Sequence, residues 1–549
     1  MSPPPSPCGS GSPRRCALAA ASGAIPRAPV SLTRDDGKLD FRRLMVVIAV
    51  MTGTLLEIID SSIVNVALPD MMGNLGASLD EISWVVTGYI LSNVVIIPMT
   101  AWLAGRFGRK RYFTGSILLF TVASFFCGFA HTLPELVCFR VIQGLGGGAL
   151  LSTSQAILVE TFPPQRQGAA QAIFGVGAML GPSLGPTLGG WITSNWTWPW
   201  IFYVNVPLGL TAAFLSSRFL QDPEHLRGRR GIPIDYVGIA LLIAGIGALQ
   251  FVLERGERYD WFEDNTIFAL AVTAAVALPA FFVYELRCKQ PVVDLRVLRH
   301  RALAAGCVFG VAMGVGLYGS VFLFPVFTQS LLGWTSWQSG LAILPSSIST
   351  AIMMTVAGRL VWRIGPRPIL WFGITVFLIG LVGMSHWTLE SGWDDLFWPQ
   401  VCRGVGLGAM FVPVSSVTLG SLPAREVQQG AGLYNLFRQL GGSFGIATLT
   451  TVLHRSHAIH HAYLSEHVAR LDPETTLRLS QLAHGFQQRG LDGASAHDAA
   501  LAALSSALHG QASILSFEDC YRLVAGLFVL LLPMVLLLRR PPARVLPSH

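Results

Sequence analysis

The chain of 549 residues is 52% hydrophobic and only 13% charged, with a mean hydropathy of +0.53. These residues supply too little polar surface for a soluble protein of this length, so the composition predicts an integral membrane protein. The net charge of +7 lies mainly in short loops between apolar segments. It therefore does not indicate a nucleic-acid partner.

Apolar segments long enough to cross a hydrocarbon core of about 30 Å recur along the chain. We predict fourteen such spans, at residues 44–66, 83–104, 112–131, 135–158, 169–192, 199–218, 235–254, 266–285, 302–326, 338–358, 368–387, 396–420, 429–453 and 519–538. All must be helices, because the bilayer interior holds no water that could hydrogen-bond free backbone groups. The predicted fold is an all-α integral membrane protein, surrounded by membrane lipids.

Basic residues in the short loops predict the orientation of these spans. On one side of the membrane the loops carry 18 Lys and Arg residues, and on the other only Arg255 and Arg258. The 18 are Arg106, Arg109, Lys110, Arg111, Arg166, Arg218, Arg227, Arg229, Arg230, Arg287, Lys289, Arg296, Arg299, Arg301, Arg359, Arg363, Arg367 and Arg425. Because basic loops remain in the cytoplasm, this bias predicts two cytoplasmic termini and an even number of spans.

Little of the chain is predicted to lie outside the membrane. Residues 1–40 are rich in Pro, Ser, Gly and Ala and cannot bury a core, which favours a disordered cytoplasmic tail. A misplaced start codon and a targeting peptide are the alternatives. Residues 541–549 form a second cytoplasmic tail, and the longest remaining segment, 454–515, is external by the charge rule.

Histidines at the start of this external segment approach the spacing of metal ligands. They are His454, His457, His460, His461 and His467. No cysteine accompanies them, and the segment is polar with a partly helical pattern, so we favour a solvated amphipathic helix over a zinc site. We predict no metal and no cofactor.

Only two carboxylates lie deep inside a predicted span, and both are in the first one, Glu57 and Asp60. Three residues apart on a helix, they share a face. An ionisable group in hydrocarbon costs at least about 2.5 kcal/mol, so it indicates a transport path or a proton relay rather than a packing role. The pair makes a proton-coupled membrane carrier the first hypothesis.

Arg140, in the fourth span, is predicted to lie at the same depth as Asp60. Counting at about 1.5 Å per residue puts both roughly 8 to 11 Å below the outer surface. A conformational change that separated them would make Asp60 take up or release a proton, whereas a static ion pair would be structural only. We favour proton coupling by Asp60, Arg140 and Glu57. Glu57, one turn deeper, is also the expected partner of a cationic substrate.

Further polar side chains inside the spans are candidates for substrate binding. Arg438, near the middle of the thirteenth span, has no acid on its own helix. It must therefore meet an acceptor, an anionic substrate or a water-filled cavity. Together with Glu57, Asn65 and Gln143, it forms the predicted substrate-binding set.

Internal repetition divides the chain into two halves. AGRFGRKR at 104–111 is echoed by AGRLVWRIGPR at 357–367, and FRVIQGLGGGALL at 139–151 by CRGVGLGAMFVP at 402–413. We predict a six-helix half at 41–218, two inserted helices at 219–290 and a second six-helix half at 291–540. Aligning the glycines places Arg403 opposite Gln143. The ninth span, the counterpart of the first, has no carboxylate, so coupling is predicted in the N-terminal half.

Four motifs resemble those of one transporter family. They are IIDSSIVNVALP in the first span, RVIQGLGGGAL in the fourth, GVGAMLGPSLGPTLGGWI at 175–192 and WPWIFYVNVPLG at 198–209. Together with the two parallel halves they resemble the fourteen-helix drug:proton antiporter branch of the major facilitator superfamily, and its EmrB-type efflux proteins. The resemblance covers nearly the whole chain after residue 40.

The resemblance implies a proton-coupled antiporter that exports drugs or other small amphipathic compounds from the cytoplasm by alternating access. It also implies a place in the cell inner (plasma) membrane, with a periplasmic adaptor and an outer-membrane channel as partners. A proton-coupled exporter or importer of a specific metabolite is the alternative. The two-half repeat disfavours a channel, and no enzymatic activity is predicted. Because the sequence lacks a GxxxxGK[ST] loop, ATP is not the expected energy source.

The loop after the second span is a candidate gate. It matches the family pattern at Arg106, Gly108, Arg109 and Lys110. It departs from the pattern at Gly105, where the family has the Asp thought to help lock the cytoplasmic gate. The departure puts the gating role of this loop in doubt.

The fifth span carries a second candidate for gating. Its small and helix-bending residues are Gly177, Gly181, Pro182, Gly185, Pro186 and Gly189. The glycines recur every four residues and form a smooth stripe, and each proline removes a backbone hydrogen bond. We favour a kinked helix along which the two halves rock or seal over tight packing alone.

Overall fold

The structure is a computed structural model that describes residues 41–163, 166–222, 234–466, 468 and 473–537. The predicted tails, 1–40 and 541–549, lie outside the described residues, as do Arg227, Arg229, Arg230 and His467. Every regular element within the described ranges is a helix, which confirms the predicted all-α fold.

Fourteen long helices, numbered α1 to α14, follow one another along the described chain. They are α1 (Phe41–Leu75), α2 (Trp84–Phe107), α3 (Arg109–Phe129), α4 (Leu133–Thr161), α5 (Gln167–Asn195), α6 (Trp200–Phe219), α7 (Tyr236–Arg255), α8 (Asn265–Arg287), α9 (Arg301–Ser330), α10 (Ser336–Ile364), α11 (Pro366–Met384), α12 (Trp393–Gly420), α13 (Val427–Glu466) and α14 (Gly493–Leu531). Thirteen of the described helices are long and apolar enough to cross a membrane. The fourteenth, α13, is a continuous helix that covers the predicted span 429–453, but polar side chains such as Arg438 interrupt its apolar sequence.

Local sequence signals set several helix ends, and the same signals recur in both halves. Thr132 and Thr335 each begin a helix, α4 and α10, with a capping box that satisfies free backbone N–H groups. Gly108 separates α2 from α3 at φ +86°, and Gly365 separates α10 from α11 at φ +89°. Side chains rarely adopt this backbone region, so glycine is needed at both turns.

Close helix packing is repeated in the two halves, as the internal repeat predicted. The glycine-rich helix α4 packs on α2 and α3, and α12 packs in the same way on α10 and α11. An added Cβ at Gly144 would lie 2.5 Å from the Tyr89 carbonyl oxygen, and one at Gly404 would lie 2.1 Å from that of Ser346. Two further glycines of each helix make similarly close contacts; they are Gly146, Gly148, Gly406 and Gly408.

This glycine register fixes which residues correspond between the halves. It aligns Arg403 of α12 with Gln143 of α4, as the sequence alignment predicted. By the same register, Gln400 corresponds to Arg140. The two helices thus carry an arginine and a glutamine on the same face, in opposite order.

The two halves are in contact at the end of the bundle that holds the basic loops, called the inner end below. An added Cβ at Gly168, at the start of α5, would lie 2.5 Å from the carbonyl oxygen of Gly358 in α10. Nearby, Phe174 of α5 stacks on Phe411 of α12 with ring centroids 6.3 Å apart. Such contacts leave no room for a passage between α5 and these two helices at the inner end.

Helices α7 and α8 lie at the edge of the bundle, where α7 covers the seam between α2 and α13. Phe251 of α7 packs on Trp84 of α2 with ring centroids 5.6 Å apart. On the other side, Gln250 Nε2 donates a hydrogen bond of 2.8 Å to Ser443 Oγ of α13. A cavity of about 470 Å³ between α7, α8 and α13 is lined almost entirely by apolar side chains.

The predicted external segment is formed largely by extensions of α13 and α14. α13 continues to Glu466, helix Pro473–Gln488 follows, and α14 begins at Gly493. These parts of residues 454–515 are called the outer hairpin below. His460 of α13 and Asp519 of α14 are joined by a contact of 2.8 Å, and the rings of His461 and His509 lie 4.4 Å apart.

Histidines of the outer hairpin are neighbours without forming a metal cluster. In the described part of the chain no group of three or more His, Cys, Asp or Glu is arranged to hold a metal ion. Partial burial, followed by the nearby His509 and His461, lowers the pKa of His457 below its usual value. The hairpin is therefore joined by contacts between histidine rings as well as by the His460–Asp519 pair.

Candidate functional site

Asp60 is the centre of a buried polar network inside the N-terminal half. Its carboxylate accepts hydrogen bonds from Arg140 Nη1 at 2.6 Å, Gln143 Nε2 at 2.9 Å and Asn205 Nδ2 at 2.8 Å. Asp60 is 0% exposed and Arg140 1% exposed. The network joins α1, α4 and α6, so a proton exchanged at Asp60 would alter hydrogen bonds to two other helices.

The surroundings of Arg140 explain how a guanidinium is held inside the bundle. Its Nε donates to the Val85 carbonyl oxygen at 3.1 Å, and Nη1 also donates to Gln143 Oε1 at 2.8 Å. The guanidinium carbon lies 4.2 Å from the centre of the Tyr89 ring, a favourable cation–π position. The Asp60–Arg140 pair is therefore neutral as a unit and closely surrounded in this conformation.

A chain of polar side chains crosses from the N-terminal to the C-terminal half. Gln155 Nε2 of α4 donates to Gln171 Oε1 of α5 at 2.9 Å. Asn435 Nδ2 of α13 donates to Gln155 Oε1 at 2.7 Å, and Arg438 Nη2 donates to Asn435 Oδ1 at 3.1 Å. The Nε of Arg438 is buried without a hydrogen-bond partner in the described part of the chain, which leaves one donor for another group.

Glu57 lies between this chain and the Asp60 network. It is 9% exposed, and Asn93 Nδ2 of α2 approaches its Oε1 at 3.5 Å, a long hydrogen bond. Arg438 of the other half is the cation whose charge acts most strongly on Glu57. Two of the predicted substrate-binding residues, Glu57 and Arg438, thus lie in opposite halves within range of each other's charge.

The other two predicted substrate-binding residues do not join them. Asn65 is exposed on α1, eight residues beyond Glu57 and outside both polar groups. Gln143 is fully buried, with its amide engaged by Asp60 and Arg140. Its geometry is that of a member of the Asp60 network, because neither end of the amide is turned to the interface between the halves.

The loop between α2 and α3 binds both halves at the inner end. Arg109 is buried and makes two hydrogen bonds to the Glu160 carboxylate, at 2.7 and 2.8 Å. Its Nε donates to Gln428 Oε1 of α13 at 2.8 Å, which crosses to the C-terminal half. The Lys110 backbone N–H donates to Asp222 at 2.7 Å.

Arg106 and Gly108 complete this loop. The Arg106 guanidinium lies 5.8 Å from the ring centre of Trp102, where it is partly exposed. Gly108 has its positive φ, and an added Cβ would lie 3.1 Å from Asp222 Oδ2. Arg109 therefore supplies the hydrogen bonds from this loop to Gln428 of α13 and to Glu160, whereas Gly105 has no side chain.

The glycine stripe of α5 faces α1 of the same half, which differs from the expectation that it lies between the halves. Added Cβ atoms would lie 2.1 Å from Ile58 at Gly181 and 1.9 Å from Ser62 at Gly185. Gly177 and Gly189 likewise approach α1. α5 has small residues on more than one face, and the face that meets α10 carries Gly168 instead. α5 runs unbroken through the positions of Pro182 and Pro186.

Several residues of the site were not predicted from the sequence. They are Tyr89, Asn93, Gln155, Glu160, Gln171, Asn205, Gln428 and Asn435. A signal was present, because amides are rare in apolar spans, and SQAIL, AAQAIF and YNLF each contain one. The sequence could not show which of these amides meet, since their partners lie on distant helices.

These features define a class: a multi-pass membrane carrier built of two homologous helical halves with polar groups at their interface. Residues 50–446 match the model of the Major Facilitator Superfamily. The chain therefore belongs to the Major Facilitator Superfamily, a family of transporters rather than enzymes.

Relatives of known name match almost the whole chain. The multidrug export protein EmrB of Escherichia coli is 34% identical over 502 residues, 91% of this chain and 96% of that protein. The fatty acid resistance protein FarB of Neisseria gonorrhoeae is 34% identical over 88% of this chain and 94% of its own length. Among solved structures, the human organic anion transporter MFSD10 has a TM-score of 0.59 over 90% of this chain and 99% of that one, at 14% identity, which shows the fold.

Proposed function

We propose that the chain is a proton-coupled antiporter that exports drugs or other small amphipathic compounds from the cytoplasm by alternating access. The observation that carries the proposal is the buried Asp60–Arg140 ion pair, 2.6 Å long, at the junction of three helices of one half. The similarity to EmrB and FarB, whose names describe multidrug export and fatty acid resistance, supports the direction and the substrate class.

Proton coupling follows from the charge balance of the Asp60 network. While Asp60 is ionised, its carboxylate neutralises Arg140 and binds α1, α4 and α6 together. A proton arriving from the outside cancels the negative charge and weakens the attraction, which leaves Arg140 uncompensated and favours a rearrangement of the three helices. Return of the carboxylate to the ionised form, with release of the proton to the cytoplasm, restores the pair and completes the exchange.

Substrate binding belongs to the polar groups between the halves. Glu57 and Arg438 offer one negative and one positive side chain, and the amides of Gln155 and Asn435 add neutral hydrogen-bonding groups. A cationic head group would compete with Arg438 for Glu57, while an anionic one would compete with Glu57 for Arg438. Such a site tolerates amphipathic compounds of either charge, as expected of a broad exporter.

The inner gate is held by Arg109. Its hydrogen bond to Gln428 crosses between the halves, and its two bonds to Glu160 keep the guanidinium in position. This arrangement gives the loop a cross-half contact although Gly105 replaces the acidic residue of the family pattern. The gating role predicted for Arg106, Gly108, Arg109 and Lys110 is thus assigned mainly to Arg109, with Gly108 supplying the turn.

The proposed setting is the cell inner membrane, with both termini in the cytoplasm and the outer hairpin outside. There the hairpin would meet a periplasmic adaptor that leads to an outer-membrane channel. The size of the hairpin supports this role, since a simple connection between two antiparallel helices needs only a few residues.

Inverted membrane vesicles test the proposal against its alternative, a carrier for a specific metabolite. An acidic lumen should drive accumulation of several cationic and anionic amphipathic dyes by vesicles with the wild-type chain. Vesicles with Asp60→Asn should show only the background of vesicles that lack the protein. Transport of one compound alone would favour the metabolite carrier, and accumulation that requires an alkaline lumen would favour import.

A further inference from the structure

The C-terminal half contains a buried arginine, Arg403, that has no acidic partner among the described residues. Arg403 of α12 is 2% exposed and donates from Nε to Ser346 Oγ at 3.1 Å and from Nη1 to the Ser320 carbonyl oxygen at 3.1 Å. Within the described part of the chain no carboxylate forms an ion pair with it, and α9 contains neither Asp nor Glu. Neutral oxygens orient the guanidinium but do not cancel its charge.

Two other buried polar groups beside Arg403 lack hydrogen bonds to any residue that the structure describes. Gln400, one turn away on the same face of α12, is 0% exposed, and neither its Nε2 nor its Oε1 has a partner. The hydroxyl of Tyr521 of α14 is also buried without a hydrogen-bond partner among the described residues. It lies within electrostatic range of Arg403. A buried donor without a partner is costly, so two of them near an uncompensated cation require an explanation.

The N-terminal half shows what such a group of donors binds. By the glycine register, Gln143 and Arg140 occupy the positions of Arg403 and Gln400. In that half the arginine and the glutamine both donate to one carboxylate, that of Asp60, with a third donor from α6. The C-terminal half retains the arginine and the amide and has a hydroxyl on α14, but its α9 supplies no carboxylate.

We propose that Arg403, Gln400 and Tyr521 bind a small monovalent anion, chloride under physiological conditions, in the C-terminal half. The anion takes the role that the Asp60 carboxylate has in the N-terminal half: it neutralises the guanidinium and accepts hydrogen bonds from the amide and the phenol. An ion that reaches groups exposed by 2% or less must be small, which favours a halide over a carboxylate or a phosphate. Binding neutralises the guanidinium of Arg403 without a titratable carboxylate.

Thermal unfolding of the purified full-length chain at constant ionic strength tests this site. Replacing sodium gluconate with sodium chloride or bromide should raise the Tm of the wild type along a saturable curve, because a ligand bound only by the folded state stabilises it. Arg403→Gln should abolish the halide-dependent rise. Gln400→Leu should shift the chloride midpoint upward by about tenfold without lowering the Tm in gluconate, because it removes a buried amide that has no partner without the anion.

A second buried arginine provides the control. Arg255 at the end of α7 is 3% exposed, and its Nε and Nη2 also lack partners, but it lies on the Trp84 ring at the edge of the bundle. Arg255→Gln should keep the full chloride response. A wild type without halide dependence, a response that survives Arg403→Gln, or a response that disappears with Arg255→Gln would overturn the proposal.

Direct binding of radioactive chloride keeps the test decisive if Arg403→Gln fails to fold. Equilibrium dialysis should find about one chloride per wild-type chain and weaker binding by both Gln400→Leu and Tyr521→Phe. Unchanged chloride affinity in both of these variants would refute the site. None of these measurements depends on transport, so their outcome is separate from that of the proposed export activity.

Discussion

The guanidinium of Arg140 lies 2.6 Å from the carboxylate of Asp60, although the two residues are 80 positions apart in the chain. Both are closed off from solvent by the packing of α1, α4 and α6. A buried ion pair is weak evidence for stability, because desolvation offsets most of the attraction. Stability alone therefore does not explain the pair, and we propose that it couples transport to protons.

Removing the charge of Asp60 should uncouple transport from protons. We expect Asp60→Asn to insert normally, because Asn can keep a hydrogen bond to Gln143, and to lose accumulation driven by a pH gradient in inverted vesicles. Asp70→Asn, at an exposed acid of the same helix, should behave as the wild type. Full proton-driven uptake by Asp60→Asn would show that another group carries the proton.

Arg140, the cation of the pair, should be as necessary for coupling as Asp60 and more important than Asp60 for stability. Arg140→Ala leaves Asp60 buried without its cation, which costs about 3–5 kcal/mol when the carboxylate stays ionised. We expect loss of proton-driven transport together with a lower Tm in detergent. The combined variant Arg140→Ala and Asp60→Asn should regain part of the lost Tm but no coupling; failure to regain any would mean that the charge is not the cause.

Glu57 and Arg438 should determine which compounds are carried. Glu57→Gln removes the negative charge between the halves, so we expect cationic dyes to lose affinity most, while anionic dyes are carried as before. Arg438→Gln should weaken the binding of anionic dyes most, while cationic dyes are carried as before. Dye competition in vesicles measures both, and a uniform loss for all dyes in each variant would argue against a role in substrate choice.

The hydrogen bond from Arg109 to Gln428 should keep the inner end closed. Gln428→Leu removes the acceptor. It should lower the stability of the closed inner end by about 1.5–3 kcal/mol, the range for a hydrogen bond to a charged group. Hydrogen exchange should then increase at the start of α5 and at the end of α10. Gln487→Leu on the exposed helix Pro473–Gln488 is the matched control. Unchanged exchange in Gln428→Leu would remove Arg109 from the gate.

The outer hairpin should serve handover to a partner and not transport itself. The rings of His461 and His509 lie 4.4 Å apart, so a short Gly/Ser linker can replace residues 463–507 without straining α13 and α14. We expect the shortened chain to transport normally in vesicles and to lose drug resistance in cells. Undiminished resistance at equal expression would leave the hairpin without a docking role.

The outer position of the hairpin has a test of its own. Impermeant maleimide should label Ser480→Cys but not Gly228→Cys in intact cells.

Much of the fold could be predicted because the bilayer restricts the choices. Apolar length and the absence of backbone partners in lipid determine helices, and the repeated glycine patterns determine two halves. The ends of α13 and α14 were harder to predict, because polar sequence beyond the apolar spans gives no comparable signal. The predicted span 519–538 therefore missed that α14 begins at Gly493.

The polar site shows where prediction from sequence stops. A shared depth was enough to associate Asp60 with Arg140, since both lie at the same predicted distance from the outer ends of spans in one half. Depth does not determine which way a side chain turns around its helix axis. For that reason Gln143 was assigned to substrate, whereas its amide is taken up by the Asp60 network.

The sequence by itself determined the membrane class, the helical spans, the duplicated halves and the family, because hydropathy, charge asymmetry and motif spacing are properties of the chain. Tertiary structure alone decided that Asn205 completes the Asp60 network, that Arg109 reaches Gln428 across the halves, and that the glycine stripe of α5 meets α1. The physical reason is that these contacts depend on the rotation and crossing of packed helices. Helix rotation is set by the sum of all side chains at an interface, which no single motif records.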